Sequence, residues 1–309
     1  MVKRISWFFA CLLWTALLSL PVSAGAIEAA VVLSKRNDIQ SAFFEALGAT
    51  LATSASVHLV DAGSAGEALD DAALKRADVV IAVGAEAADL LAARSSVPIL
   101  AVLISSQNLR ALQMRHPRTK LGGIVLDQPL ARHMRLIHAT LPKATRVGVL
   151  LGPQSVAMRP ALLDAGVKRG LTLNFEQIDD TDGLLPALER LLESSDVILA
   201  VPDPVAYSAS TARPILLTTY RYRRPLIGYS QAYVTAGAIA AVYSAPADIA
   251  RQVAEWLVGS QTPVRIELPT ADTPRYFSVG VNQHVARSLM VPLPDSALLA
   301  DMVDKRRQP

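Results

Sequence analysis

The chain has 309 residues, of which 51% are hydrophobic and 18% charged, and its formal net charge is +3. It is too apolar to be disordered and too nearly neutral to present the basic surface that nucleic acid requires. Its length leaves room for two globular lobes.

The chain opens as a secretory leader. Lys3 and Arg4 precede an apolar run from Ile5 to Leu20, Pro21 ends it, and Val22-Ser23-Ala24 offers small residues for a peptidase. Residues 1–24 are thus expected to be removed on export to the periplasm, a retained anchor being the alternative. Cys11, the single cysteine, lies inside this run, so the mature chain has no thiol for a disulfide or a metal. Without Lys3 and Arg4, 28 basic residues face 27 acidic ones. The cluster Lys305-Arg306-Arg307 then reads as a solvated tail.

Short continuous apolar runs follow at Ala29 to Leu33, Val79 to Val83, Ile99 to Ile104, Val147 to Leu151, Val197 to Val201 and Leu226 to Tyr229. Unbroken apolar runs suit strands covered on both faces. Between them lie helical patterns at Ala85 to Arg94, Pro129 to Leu141, Val156 to Arg169 and Leu184 to Glu193. The alternation predicts an α/β fold with parallel sheets. Asp78 to Gly84 (DVVIAVG) resembles Asp196 to Pro202 (DVILAVP), and each is followed by a strand opened by proline, at Pro98 and Pro225. This weak repeat predicts two Rossmann-like lobes joined by a hinge, with one large sheet as the alternative. Lobe 1 is expected over 25–142 with a return segment over about 237–262. Lobe 2 is expected over 143–236, the first crossing falls at Leu141-Pro142-Lys143, and 263–309 forms a crossing segment and tail assigned to neither lobe.

In open parallel sheets ligands sit beyond the carboxyl ends of the strands. The loops expected there carry Gly84, Ser105 and Ser106 in the first half, and Ser155, Asp203, Tyr229 and Ser230 in the second. Helices begin after several of them, and a free helix start suits a carboxylate. Asp203, between two prolines, could receive a ligand ammonium, with Ser155 at a carboxylate; turn and cap roles are the alternatives for both. Of six tyrosines from Tyr207 to Tyr243, Tyr229 is the one expected at the cleft.

Catalytic readings are weaker. Gly228-Tyr229-Ser230-Gln231-Ala232 approaches a nucleophile elbow, with Asp248 or Asp272 and His284 downstream. An elbow needs a helix right after the serine, and Gln231 to Gly237 is a poor helix start. His58, His116, His133, His138 and His284 lack metal spacing and read as surface or helix residues. No phosphate loop or dinucleotide fingerprint is present. Neither an enzyme activity nor a cofactor or metal is expected.

From Leu141 onward a family resemblance becomes specific. It is carried by LPKATRVGVL (141–150), by the strand and loop from Asp196 to Asp203, by RPLIGYS (224–230), by YVTAGAIAA (233–241), and by Val281-Asn282 leading to the Leu289 to Pro292 run. Their order over about half the chain resembles the ABC transporter substrate-binding family that includes tryptophan/tyrosine-type binders. The resemblance implies a type I periplasmic-binding-protein fold, a monomer that closes on a small ligand such as an amino acid or related carboxylate, and delivery to an ABC permease. It places Ser155, Asp203 and Ser230 at matching ligand positions. A sensor or adaptor that shows its ligand state to a membrane receptor is the alternative. The first half departs from the family pattern between Ser34 and Ala62 and after Pro98.

Overall fold

The computed structural model describes residues 26–260 and 266–304; the expected leader and the basic tail lie outside them. Two sheets are present. The first is parallel, in the order β2-β1-β3-β4-β5, with β1 Ile27–Leu33, β2 Val57–Ser64, β3 Val79–Val83, β4 Ile99–Val102 and β5 Leu121–Ile124. The second runs β11-β10-β9-β8-β6-β7, with β6 Arg146–Leu151, β7 Thr172–Gln177, β8 Val197–Leu199, β9 Leu226–Gly228, β10 Ala240–Tyr243 and β11 Ser278–Val281. Only β11 is antiparallel there, against β10. Without it, the second sheet repeats the order of the first, so the two halves share one topology.

The repeated aspartates show that this correspondence is physical. Asp78, just before β3, accepts a hydrogen bond from the Glu28 N–H of β1 at 2.8 Å. Asp196, just before β8, accepts one from the Arg146 N–H of β6 at 3.0 Å. Each ties the entry of a third strand to that of its central neighbour. Asp196 also pairs with the Arg146 guanidinium at 2.8 Å. Burial pushes the Asp196 carboxyl up, but these hydrogen bonds prevail and hold it at about 2.

In the first sheet, successive side chains go to opposite faces. Ala29, Val31, Leu33, Ile81 and Val83 pack one way, against α1 (Asp38–Leu51) and α10 (Pro246–Gly259). Ala30, Val32, Val80, Ala82 and Ala101 pack the other way, against α2 (Asp71–Arg76), α3 (Ala85–Ala92) and α4 (Ser106–Arg115). In α1 the buried residues Phe43, Leu47 and Leu51 stand four apart, one face of a helix, and Asn37 caps its start. The second sheet has a single core shared with α5 (Leu130–Thr140), α7 (Leu184–Ser194), α8 (Ala209–Arg221) and α12 (Ser296–Val303). α6 (Arg159–Val167), preceded by a short 3-10 turn at Val156–Met158, packs on α5 and β7, and α9 (Gln231–Ala236) and α11 (Gln283–Ser288) complete this lobe.

The chain crosses between lobes three times, and two crossings depart from expectation. The first falls at 126–129, not at Leu141-Pro142-Lys143, because Met134, Leu136 and Ile137 of α5 pack into the second core. The amphipathic pattern shows that 129–141 is a helix but not which lobe buries it. The return falls at Ser244-Ala245 rather than near 237: β10 still pairs with β9, and only α10 lies against α1. Residues 268–272 then run beside β5, where the Gly123 N–H donates to the Pro269 carbonyl and the Val125 N–H to that of Asp272. The third crossing, 273–277, leads to β11.

Gly122 permits this third strip to lie close. A Cβ there would strike the Pro269 carbonyl oxygen and come within 2.8 Å of the Leu268 side chain. Gly122→Ala is expected to destabilise the fold by about 1–3 kcal/mol, read as a lower midpoint in urea unfolding; an unchanged midpoint would remove 268–272 from this position.

Candidate ligand-binding cleft

The carboxyl ends of both sheets face one cavity of about 800 Å³ between the lobes. Lobe 1 contributes Asn37, Ile39 and Gln40 after β1, and Leu103 and Ser105 after β4. The first crossing contributes Leu126, Asp127 and Gln128. Lobe 2 contributes Met158, Val201 and Pro202, then Tyr229 to Ala232 after β9, with Leu130 and His133 from α5. Tyr243 to Pro246, along the second crossing, complete the wall. Most of this surface is aliphatic or aromatic. Among the described lining residues Asp127 is the one carboxylate, and none is a Lys or Arg.

Three of the residues expected from sequence come together here. Ser105 lines the cavity and caps α4, accepting from the Asn108 N–H at 3.1 Å. Tyr229 presents a ring to the cavity and donates its hydroxyl to the Tyr207 carbonyl at 3.2 Å. The rings of Tyr207, Tyr229 and Tyr233 pack together, Tyr207 edge-on to the other two and those two tilted, at centroid distances of 5.0 to 6.4 Å, which fixes the orientation of Tyr229. Ser230 also lines the cavity and caps α9.

The other four stand behind the wall. Ser106 donates its N–H and hydroxyl to Asp127 at 2.6 and 2.9 Å, and so aims that carboxylate. Gly84 starts α3 with φ of 92°, and a Cβ on it would meet Ser34 Oγ at 2.5 Å. Asp203 is 3% exposed. Its two oxygens accept four backbone hydrogen bonds, from Gln154, Ser155, Val205 and Ala206, at 2.8–3.1 Å. Ser155 is 1% exposed and accepts from the Gly152 N–H at 2.9 Å. The ammonium acceptor expected at Asp203 and the carboxylate donor expected at Ser155 are therefore replaced by a brace that joins the loops after β6 and β8. Burial pushes the Asp203 carboxyl up, but the N–H groups of Ala206, Ser155 and Val205 outweigh it and hold it below the usual carboxylate range.

Two further expectations change. Gln231–Ala236 does form a helix, because Ser230 accepts from the Tyr233 N–H and Gly237, at φ of 130°, closes the far end. An elbow nucleophile sits on a strained turn with a free oxygen, whereas the Ser230 backbone is extended, with φ of −151°, and its oxygen is used as a cap. His133, read as a surface or helix residue, is a helix residue of α5, not a surface one: it is buried and lines the cavity. Burial, with the Arg132 guanidinium beside it, lowers its imidazole to about 4, so it is neutral at pH 7.

The sequence reading missed Asp127, Gln128, His133 and Ser244. Leu126-Asp127-Gln128-Pro129 does carry a signal, two polar residues closing an apolar run before a proline, and it marks a strand-end loop. Gln128 donates to Ser244 Oγ at 2.9 Å, and Ser244 donates to the Tyr276 carbonyl at 2.6 Å. At the cavity lip, Gln107 of lobe 1 donates to the Gln154 carbonyl of lobe 2 at 3.0 Å.

A family model described as "ABC transporter substrate binding protein" matches residues 59–302. The chain belongs to this family. Among solved structures it is similar to a ligand-free, open substrate-binding protein with adhesive properties from Clostridium difficile, at 16% identity and a TM-score of 0.64, covering 86% of this chain and 96% of that one. An ABC domain in complex with L-Trp from Streptococcus pneumoniae is 17% identical, with a TM-score of 0.57 and coverages of 87% and 97%. A periplasmic ribose ABC transporter protein from Conexibacter woesei is 13% identical, with a TM-score of 0.53 and coverages of 87% and 96%. These likenesses show the type I periplasmic-binding-protein fold. A search of curated proteins returns no match. Among the described residues no helix is long and apolar enough to cross a membrane.

Two measurements check these placements. Asp203→Asn keeps one acceptor oxygen and turns an NH2 toward backbone donors, so it is expected to lower stability by about 1–3 kcal/mol; an unaltered melting temperature with weakened ligand binding would restore the ligand role. For His133, the unfolded chain takes up a proton near the ordinary value of 6.5 that the folded chain refuses until about 4. Stability therefore falls as pH drops through that window, by roughly 3 kcal/mol from this group. Melting curves of wild type and His133→Leu should diverge between those pH values, and parallel curves would contradict the burial.

Proposed function

We propose that this substrate-binding protein is exported to the periplasm and captures a small organic molecule with an apolar body and an amine, an amino acid or a close relative, for an ABC permease. It performs no covalent chemistry. The observation that carries the ligand class is the cavity lining, broad apolar walls with one oriented carboxylate. An apolar body gains about 25 cal/mol for each Å² it removes from water, and the aliphatic walls with the Tyr229 ring accept it. An ammonium finds Asp127, whose orientation Ser106 fixes. A ligand carboxylate finds first-turn N–H groups where α1 begins.

A sugar fits these walls less well. Each hydroxyl taken from water needs a directed partner, and leaving one unpaired costs about 1–3 kcal/mol. Ile39, Leu103, Leu126, Leu130, Met158 and Val201 offer none.

The two lobes each hold part of the surface, so binding is expected to draw them together about the three crossings. A thermal-shift series of the mature protein tests the ligand class. L-Tryptophan, L-tyrosine or L-leucine at a hundredfold excess over its dissociation constant is expected to raise the melting temperature by about 5 °C or more. A shift with D-ribose and with none of the amino acids would overturn the assignment.

A further inference from the structure

We propose that His133 is the specificity group of the cavity, donating a hydrogen bond to an acceptor oxygen of the bound molecule, a carboxylate in the first instance. This rests on the cavity being the ligand site. His133 lies in the first turn of α5, directly after the first crossing, and its ring forms part of the cavity wall. The residue is only 6% exposed, and Nδ1 is shut off from water without a hydrogen-bond partner.

A buried polar atom without a partner costs stability that an aliphatic side chain of similar size would not. Packing alone therefore gives no reason for an imidazole here. The unpaired Nδ1 also selects the tautomer. A proton on it would be a sealed donor with nothing to receive it, so the proton resides on Nε2. The ring is neutral at pH 7, since burial disfavours its charged form. It can thus bind an acceptor without bringing a buried charge of its own.

The rest of the wall leaves a place for this donor. No Lys or Arg is among the described lining residues, and the Asp127 carboxylate repels a second anion. A ligand carboxylate must therefore be satisfied by neutral donors, and His133 adds a side-chain N–H to those of the α1 start. Asp127 on the first crossing and His133 on α5 stand six residues apart and would read opposite ends of a zwitterion, one taking the amine and the other the acid.

Calorimetric titrations of wild type and H133L with L-tryptophan and with tryptamine, which lacks the carboxylate, test this. H133L is expected to bind L-tryptophan about tenfold more weakly or worse, and tryptamine within about threefold of wild type. H133Q, which places an NH2 near the former Nε2, is expected to recover part of the loss. The ligand-free melting temperature of H133L at pH 7 should equal or exceed that of wild type; should it fall, H133M is titrated in its place. Unchanged L-tryptophan affinity in H133L, or an equal loss for both probes, would overturn the role of His133. A wild type that binds D-ribose and neither indole probe would overturn the amino-acid reading instead. The same variants titrated with D-ribose would then decide His133, a tenfold loss supporting it and no loss overturning it.

Discussion

Three chain crossings are held in register by one polar relay, and the geometry of the cleft depends on it. Gln128 of the first crossing donates to Ser244 of the second, and Ser244 donates to the Tyr276 carbonyl of the third. Arg132 holds the other end of the Gln128 amide at 2.5 Å and reaches the Pro274 carbonyl at 3.1 Å. Its guanidinium also lies 4.1 Å from the centre of the Phe277 ring. From lobe 1, Gln252 of α10 donates to the Thr273 carbonyl and accepts from the Arg275 N–H. The crossings are thus tied to one another, and each lobe has its own apolar core. Because Gln128 and Ser244 also line the cavity, the crossings form part of its wall.

Much of this architecture is legible in the sequence. Buried parallel strands are unbroken apolar runs, so β1, β3, β4, β6, β8 and β9 stand out. The half-buried edge strands β2 and β7 do not, since His58, Asp61, Asn174 and Glu176 interrupt them. The repeated Asp-Val motif marks true equivalents because its carboxylate serves the same backbone contact in both halves. The boundaries of the lobes are less legible. A helix reveals in its periodicity that one face is buried, but α5 carries no local mark of the sheet that buries it, and β10 none of the lobe it closes.

The site was harder to read, for a reason that Asp203 makes plain. An acid between two prolines at a strand end has the chemistry of an ammonium receptor and equally that of a loop brace. The difference lies in how many N–H groups converge on it, which depends on a loop 48 residues away. Its four donors leave little acceptor capacity for a ligand. Asp127 has the opposite arrangement: Ser106 supplies both contacts from one side and the cavity lies on the other. His133 was missed because a histidine on an amphipathic helix carries no sign of which atoms its neighbours satisfy.

In the closure proposed above, the contact between the lobes at Gln107 is a small term. Gln107 to the Gln154 carbonyl is a neutral hydrogen bond near the surface, worth about 0.5–1.5 kcal/mol. That alone can bias the lobes only by a factor of about ten. A bound molecule can shift them further only through contacts it makes better in one arrangement than in the other. Contacts with Gln128 barely distinguish the two, since it sits on the crossing, and Asp127 goes with lobe 1, whose Ser106 holds it. Discrimination must come from surfaces that approach each other: Ile39, Gln40 and Leu103 on one side, Met158, Val201 and Tyr229 on the other. Polar recognition at the hinge and apolar contact at the moving walls are then separate tasks. In the proposed closure, the first would decide which molecule is retained and the second how far its retention closes the cleft.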